Sequence, residues 1–313
     1  MLGFDQVVTL FLLIFFGFLV KKLKLITNNF QKEVGMFILN VALPAFIVTS
    51  INLSFTDEML ANSVKLWIIA SALFISSVGI SYLIMKLLKI KGMNKDIYQF
   101  IMTFPNVGYM GFPIVKAVYG DIGVFYAAIF NLNFNILLWS LGIYFMKRNS
   151  KGKDKEKDTG TTFWKRIMFI MNPALYALII GFGLSLMNLQ IPGLIKSTLV
   201  MVGNTTSPLS MMFIGFILTD VHLKELIGSI DLYLISFIRL IGFPILYFLV
   251  LRNFVTGEML GVSVLLMGMP AAVNTAVIAS RYGNNYKLAS KIVFISTLFS
   301  IATIPLMIKY FIA

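Results

Sequence analysis

Side chains able to do chemistry are scarce in this sequence, and the missing ones narrow the field first. There is no cysteine and a single histidine, His222. A thiolate nucleophile, a disulfide framework and any metal site built from several imidazoles are thereby excluded. No His-Glu-x-x-His, no Gly-x-Ser-x-Gly and no paired aspartates that would hold magnesium are found, so an intramembrane enzyme lacks its nucleophile or its ligands. What remains is a set of asparagines, one isolated arginine and a short motif that occurs twice. Met110-Gly111-Phe112-Pro113 is echoed by Met267-Gly268-Met269-Pro270, although composition alone gives Met-Gly-any-Pro an expected occurrence of about 0.04.

The prolines carry the physics of that motif. Proline has no N–H and clashes with the preceding turn, so Pro113 and Pro270 kink or break a helix. Gly108, Gly111 and Gly268 loosen the backbone beside them. In a membrane the freed N–H and C=O groups must be satisfied inside the protein or line a wet cavity. Broken helices at matching places in two halves of a carrier mark a midplane binding site, where half-helix N-termini attract anionic groups. Asn274, just after Pro270, is open to two readings, substrate contact or helix capping. Asn131 and Asn135 share a helical face, and buried amides of this kind bridge neighbouring helices or touch substrate. Arg239 also has two readings. It serves transport directly, or it partners the carbonyls of a broken helix or a carboxylate such as Asp220. Asn40 and Asn204 are expected to make scaffold hydrogen bonds.

The elements that position these residues follow from composition. Hydrophobic residues make up 58% of the 313-residue chain and charged ones 12%, with a mean hydropathy of +0.89. A soluble domain carries about 25% charged residues, so most of this surface faces lipid. Ten apolar runs approach the roughly 20 residues that a spanning helix needs. They are 4–20, 34–51, 64–87, 97–118, 122–146, 168–188, 194–218, 230–251, 258–281 and 287–312. No basic residue precedes the first run, and Lys21, Lys22 and Lys24 follow it, the reverse of a signal peptide. With the N-terminus outside, the loops on the inner side collect twenty Lys and Arg, against five outside. This bias predicts an external location for both termini. It also accounts for the net charge of +13, so the expected partner is a lipid bilayer rather than nucleic acid. The stretch 149–162 (NSKGKDKEKDTGTT) cannot bury a core and is predicted to be a cytoplasmic linker.

That linker separates residues 1–147 from 167–313, with 148–166 between them. Asn40-x-x-x-Pro44 in the second span is matched by Asn204-x-x-x-Pro208 in the seventh. Each half reads as the same five-span unit, and an odd number of spans inverts the second copy. The expected fold is an all-α integral membrane protein of ten transmembrane helices in two inverted five-helix repeats, its fourth and ninth spans broken.

The run Phe104-Pro105-Asn106-Val107-Gly108-Tyr109-Met110-Gly111-Phe112-Pro113-Ile114-Val115 resembles the fourth-span signature of the auxin efflux carrier family. The segment from Gly268 to Tyr282 (GMPAAVNTAVIASRY) is similar to its ninth-span counterpart. That family includes plant auxin carriers and bacterial malate and malonate permeases. The resemblance implies a scaffold domain of spans 1, 2, 6 and 7. It also implies a transport domain of spans 3–5 and 8–10 that moves like an elevator, with spans 4 and 9 crossing at their prolines. It further implies a homodimer and places Asn106 near a substrate carboxylate. The long cytoplasmic loop of many plant members is missing here.

The expected activity is therefore secondary transport of small organic anions (mono- or dicarboxylates) across the plasma membrane, with no cofactor and no metal. No Asp or Glu lies deep in a span, which disfavours proton coupling through a buried carboxylate. The alternatives are a sodium-coupled carrier of another solute class and, further off, an intramembrane enzyme. An ion channel lacks a visible filter motif.

Overall fold

The computed structural model describes residues 2–51, 57–150, 172–187, 189–219 and 230–312. His222, Asp220, Lys224 and nearly all of the basic linker lie outside them. Regular structure among the described residues is helical, apart from one isolated bridge between Pro105 and Ala271.

Eleven helices are described. In chain order, α1 is Leu2–Lys22, α2 is Asn28–Ile51, α3 is Asp57–Leu87 and α4 is Gly92–Thr103. The long α5, Val107–Arg148, bends sharply at Gly120 (φ 63°, ψ −146°), a conformation open to glycine. Next come α6, Pro173–Leu186, α7, Gly193–Leu218 and α8, Ile230–Leu251. The last three are α9, Gly257–Met267, α10, Thr275–Arg281 and α11, Tyr286–Phe311. Among the described residues six helices (α2, α3, α5, α7, α8 and α11) are long and apolar enough to cross a membrane, and α6 and α9 are shorter apolar helices.

Local chemistry explains where several helices begin. The Thr27 hydroxyl accepts a bond from the Phe30 amide at 3.2 Å, Asn172 accepts from Leu175 at 3.0 Å with Pro173 following, and Asn285 accepts from Leu288 at 3.1 Å. Each answers one of the unpaired N–H groups at a helix start. Five-residue π turns interrupt α2 at Ile38–Ala42, α5 at Leu138–Gly142 and α8 at Ile238–Gly242.

Packing sorts the helices into two groups, with α5 of the second also touching α1, α2 and α7 of the first. The first joins α1 to α7 and α2 to both α6 and α7. Its backbones touch at glycines. A Cβ on Gly215 would fall 2.1 Å from the Ile14 carbonyl oxygen, and one on Gly17 would fall 2.3 Å from that of Met212. Small residues that let backbones approach are the usual means of association in membranes, where lipid competes with every apolar side chain. In the second group α3 packs on α4 and α5, α9 on α5 and α8, and α11 on α8 and α10. Its core is aromatic: Phe74 lies 5.1 Å from Phe130, and Phe104 lies 4.8 Å from Phe100. Large apolar side chains such as Leu12, Phe16, Ile68, Ile75 and Leu194 are exposed on the outside of both groups. In water a surface of this kind would aggregate.

Candidate functional site

Two helices stop in mid-protein. α4 ends at Thr103 and α5 starts at Val107, while α9 ends at Met267 and α10 starts at Thr275. The extended pieces between them cross and pair antiparallel, Pro105 opposite Ala271. The Asn106 N–H donates to the Pro270 carbonyl at 2.9 Å, and the Ala272 N–H reaches the Phe104 carbonyl at 3.4 Å. A one-rung bridge thus satisfies groups that lipid would leave bare. Ser296 of α11 adds its hydroxyl, which accepts from the Ala271 N–H at 3.2 Å.

Arg239 completes the crossing. It is fully buried, yet its Nε donates to the Met269 carbonyl at 3.2 Å and its Nη1 to the Met102 carbonyl at 3.1 Å. Those carbonyls lie in the last turn of α4 and just past the end of α9, where the helix dipoles are negative. Of the readings open from sequence, partnership with broken-helix carbonyls is therefore the one observed. The π turn at Ile238–Gly242 carries Arg239 in its register, and such turns recur at functional positions in helices.

A cavity of about 190 Å³ opens beside the crossing, between α2, α5 and the start of α6. Its walls include Asn40, Asn106, Asn131, Asn135, Asn172 and Asn274, together with Gly108, Tyr109, Phe134 and Trp139. Asn106 is buried. Its Oδ1 accepts from the Tyr109 amide at 3.3 Å, while its Nδ2 has no partner. Nδ2 is a donor left unused inside the protein, at the N-terminal end of α5, where the dipole is positive.

The other residues singled out from sequence divide clearly. Asn131 and Asn135 reach the cavity, and Asn135 also bridges helices. Its Nδ2 donates to the Asn131 carbonyl at 2.8 Å, and its Oδ1 accepts from Asn172 Nδ2 at 2.8 Å. Asn274 stands at the N-cap position of α10 without a side-chain capping bond and faces the cavity instead. Pro270 lies in the crossing itself. Pro113 does not, which corrects the expectation that it breaks the fourth span. It sits in the turn that follows the Val107–Gly111 π turn, inside the continuous α5 rather than at the break. Pro105 marks that break. Gly111 and Gly268 are contact points. A Cβ would come within 2.7 Å of Leu266 Cδ2 at Gly111 and within 2.6 Å of Met307 Sδ at Gly268. The doubled Met-Gly-x-Pro therefore falls after the break in one half and at the break in the other, so its copies are not structural equivalents.

Three residues exceeded the sequence reading. Asn40 lines the cavity rather than serving only as a scaffold bond. Asn172 was recognisable as a polar residue before Pro173 at the head of an apolar run, a helix-start signal that said nothing of a cavity. Asp96 sits at a span end as expected but is fully buried. It accepts from Arg148 Nε at 2.5 Å and from Asn149 Nδ2 at 3.0 Å, while Asn284 reaches its other oxygen at 3.4 Å.

An all-helical, lipid-facing protein with two interrupted helices around a polar cavity belongs to the class of membrane transport proteins. The comparisons agree. Residues 2–308 match the model of a family described as membrane transport protein, and the chain belongs to that family, the auxin efflux carriers. It is 25% identical over 311 residues to an uncharacterized transporter of Methanocaldococcus jannaschii, with 98% of each chain covered. It is 24% identical over 300 residues to an uncharacterized transporter of Escherichia coli, covering 93% of this chain and 92% of the relative. It is 23% identical over 308 residues to a candidate malonate transporter of Rhizobium meliloti, at 95% and 92% coverage.

Proposed function

We propose that this protein is a secondary carrier of small organic anions, mono- or dicarboxylates, whose site is the cavity beside the crossing. The observation that carries the reading is Asn106, a residue lining the cavity whose buried Nδ2 has no partner. A carboxylate oxygen placed there would accept from it and face the positive end of α5. Arg239 supports this indirectly. By covering the carbonyls of Met102 and Met269 it offsets the negative ends of the broken helices, which would otherwise repel an anion. The relative named for malonate is consistent with the same substrate class.

The proposed architecture is ten spans in two inverted repeats. The fourth span is α4 plus 107–119, the fifth is 121–148, and the ninth is α9 plus α10. Reciprocal packing supports it, since α1 (first span) packs on α7 (seventh) while α6 (sixth) packs on α2 (second), the arrangement a pseudo-two-fold axis would generate. The two packing groups correspond to a scaffold of spans 1, 2, 6 and 7 and a transport body of spans 3–5 and 8–10, and sliding of one past the other would carry the site across. Lysine placement supports an orientation with both termini outside, and resemblance to the family supports a homodimer in the plasma membrane.

The test is thermal stabilisation of the purified protein by malonate, lactate and related acids, repeated with Asn106→Ala. A ligand that binds the native state raises its melting temperature by mass action. Stabilisation that disappears in Asn106→Ala supports the site and the class together. Stabilisation by cations or neutral solutes, with none by carboxylates, would overturn the organic-anion reading.

A further inference from the structure

The cavity has polar groups on two walls, and the second wall bears on the substrate. Asn106 and Asn274 stand on the side of the crossing. Asn131, Asn135 and Asn172 stand where α5 meets the start of α6. Asn172 and Asn135 are held in a chain, from Asn172 Nδ2 to Asn135 Oδ1 and from Asn135 Nδ2 to the backbone carbonyl of Asn131, each at 2.8 Å. The Leu175 amide fixes Asn172 Oδ1 at 3.0 Å. An amide nitrogen carries two N–H groups, and these bonds use one from each. Asn135 and Asn172 thus each keep a second N–H, beside the cavity that both line.

Volume limits what fits between the walls. The cavity of about 190 Å³ is on the scale of a small solute. A solute anchored at Asn106 shares this cavity with the amides of Asn135 and Asn172.

Resting on the anion-carrier reading above, we infer that Asn135 and Asn172 form a second recognition pole. They select small acids that bear another hydrogen-bond acceptor, a hydroxyl, keto or second carboxyl oxygen, over acids that end in a bare alkyl chain. A terminal methyl would face the amides without offering them an acceptor, and sites built to hydrogen-bond a group discriminate strongly against analogues lacking it.

The experiment compares propionate with lactate and malonate by thermal shift and by competition for uptake into proteoliposomes. The wild type is expected to bind lactate and malonate at least tenfold more tightly than propionate. Asn172→Ser keeps a capping hydroxyl for α6 but withdraws the amide N–H. It should reduce that preference to within about threefold by weakening lactate and malonate, with propionate unchanged. Asn135→Ser should do the same, and the unliganded melting temperature of each variant reports whether it folds. Asn106→Ala should weaken all three acids. Equal wild-type affinity for propionate and lactate, or a preference that survives both serine variants, would overturn the second pole while leaving the Asn106 site intact. Failure of every acid to bind would instead overturn the carrier reading and this inference with it.

Discussion

Arg239 shows how one residue settles several demands at once. An isolated guanidinium within a membrane is costly, and here the cost is offset in part by two carbonyls that would otherwise be orphaned, while Nη2 is buried with no partner. Replacement by Met leaves the Met102 and Met269 carbonyls buried without these donors, and unsatisfied buried groups cost about 1–3 kcal/mol each. Arg239→Met should therefore destabilise the protein by about 2–4 kcal/mol, read as a lowered midpoint of denaturant unfolding in detergent. Arg239→Lys should recover only part of the loss, because one ammonium lacks the planar fork that serves both carbonyls. Sequence placed Arg239 correctly as an exceptional residue but left its partner open, since Met102 and Met269 are remote in the chain and any residue's carbonyl looks alike on paper. Asn106 was legible only through resemblance. Its unpartnered nitrogen is a property of three-dimensional surroundings that no spacing encodes.

Among elements, the glycine seam between α1 and α7 and the ion pair at the start of α4 carry the sharpest expectations. Gly215→Ala drives a methyl into the backbone of Ile14 and Phe18, which cannot retract as a side-chain tip can, so a loss of about 2–4 kcal/mol is expected. Gly183→Ala, with open space around it, should be neutral or stabilising by up to about 1 kcal/mol. Thermal melts of the two variants side by side give the comparison. Arg148→Ala should cost about 3–5 kcal/mol, because it strips the charge partner from a buried carboxylate, and Asp96→Asn should cost less. Unfolding midpoints for these two variants test the ranking.

The helices themselves were largely legible, because apolar runs of fixed length are what lipid demands. The runs read at 194–218 and 230–251 lie almost residue for residue on α7 and α8. Breaks were harder. The doubled Met-Gly-x-Pro motif points to Pro113, yet α5 runs on through that proline and the chain opens at Pro105 instead. Composition registers that a proline is present, while the turn it occupies depends on where the preceding helix runs out of satisfied carbonyls.

For the whole molecule, the buried charge of Arg239 has an electrical consequence. In the proposed cycle the body that carries α8 moves across part of the membrane field, and the guanidinium moves with it. Loaded with a monoanion, that body moves no net charge from this pair; empty, it returns with a single positive one. A full elementary charge crossing 100 mV gains or loses about 2.3 kcal/mol, so even partial displacement makes the empty return the voltage-sensitive step. Solid-supported membrane recordings should then show a transient capacitive current in the absence of substrate that saturating monoanion suppresses. An inside-negative potential would hasten the return of the empty carrier to the cytoplasmic side, turning a residue that holds two backbone carbonyls into the means by which the cell's voltage favours export.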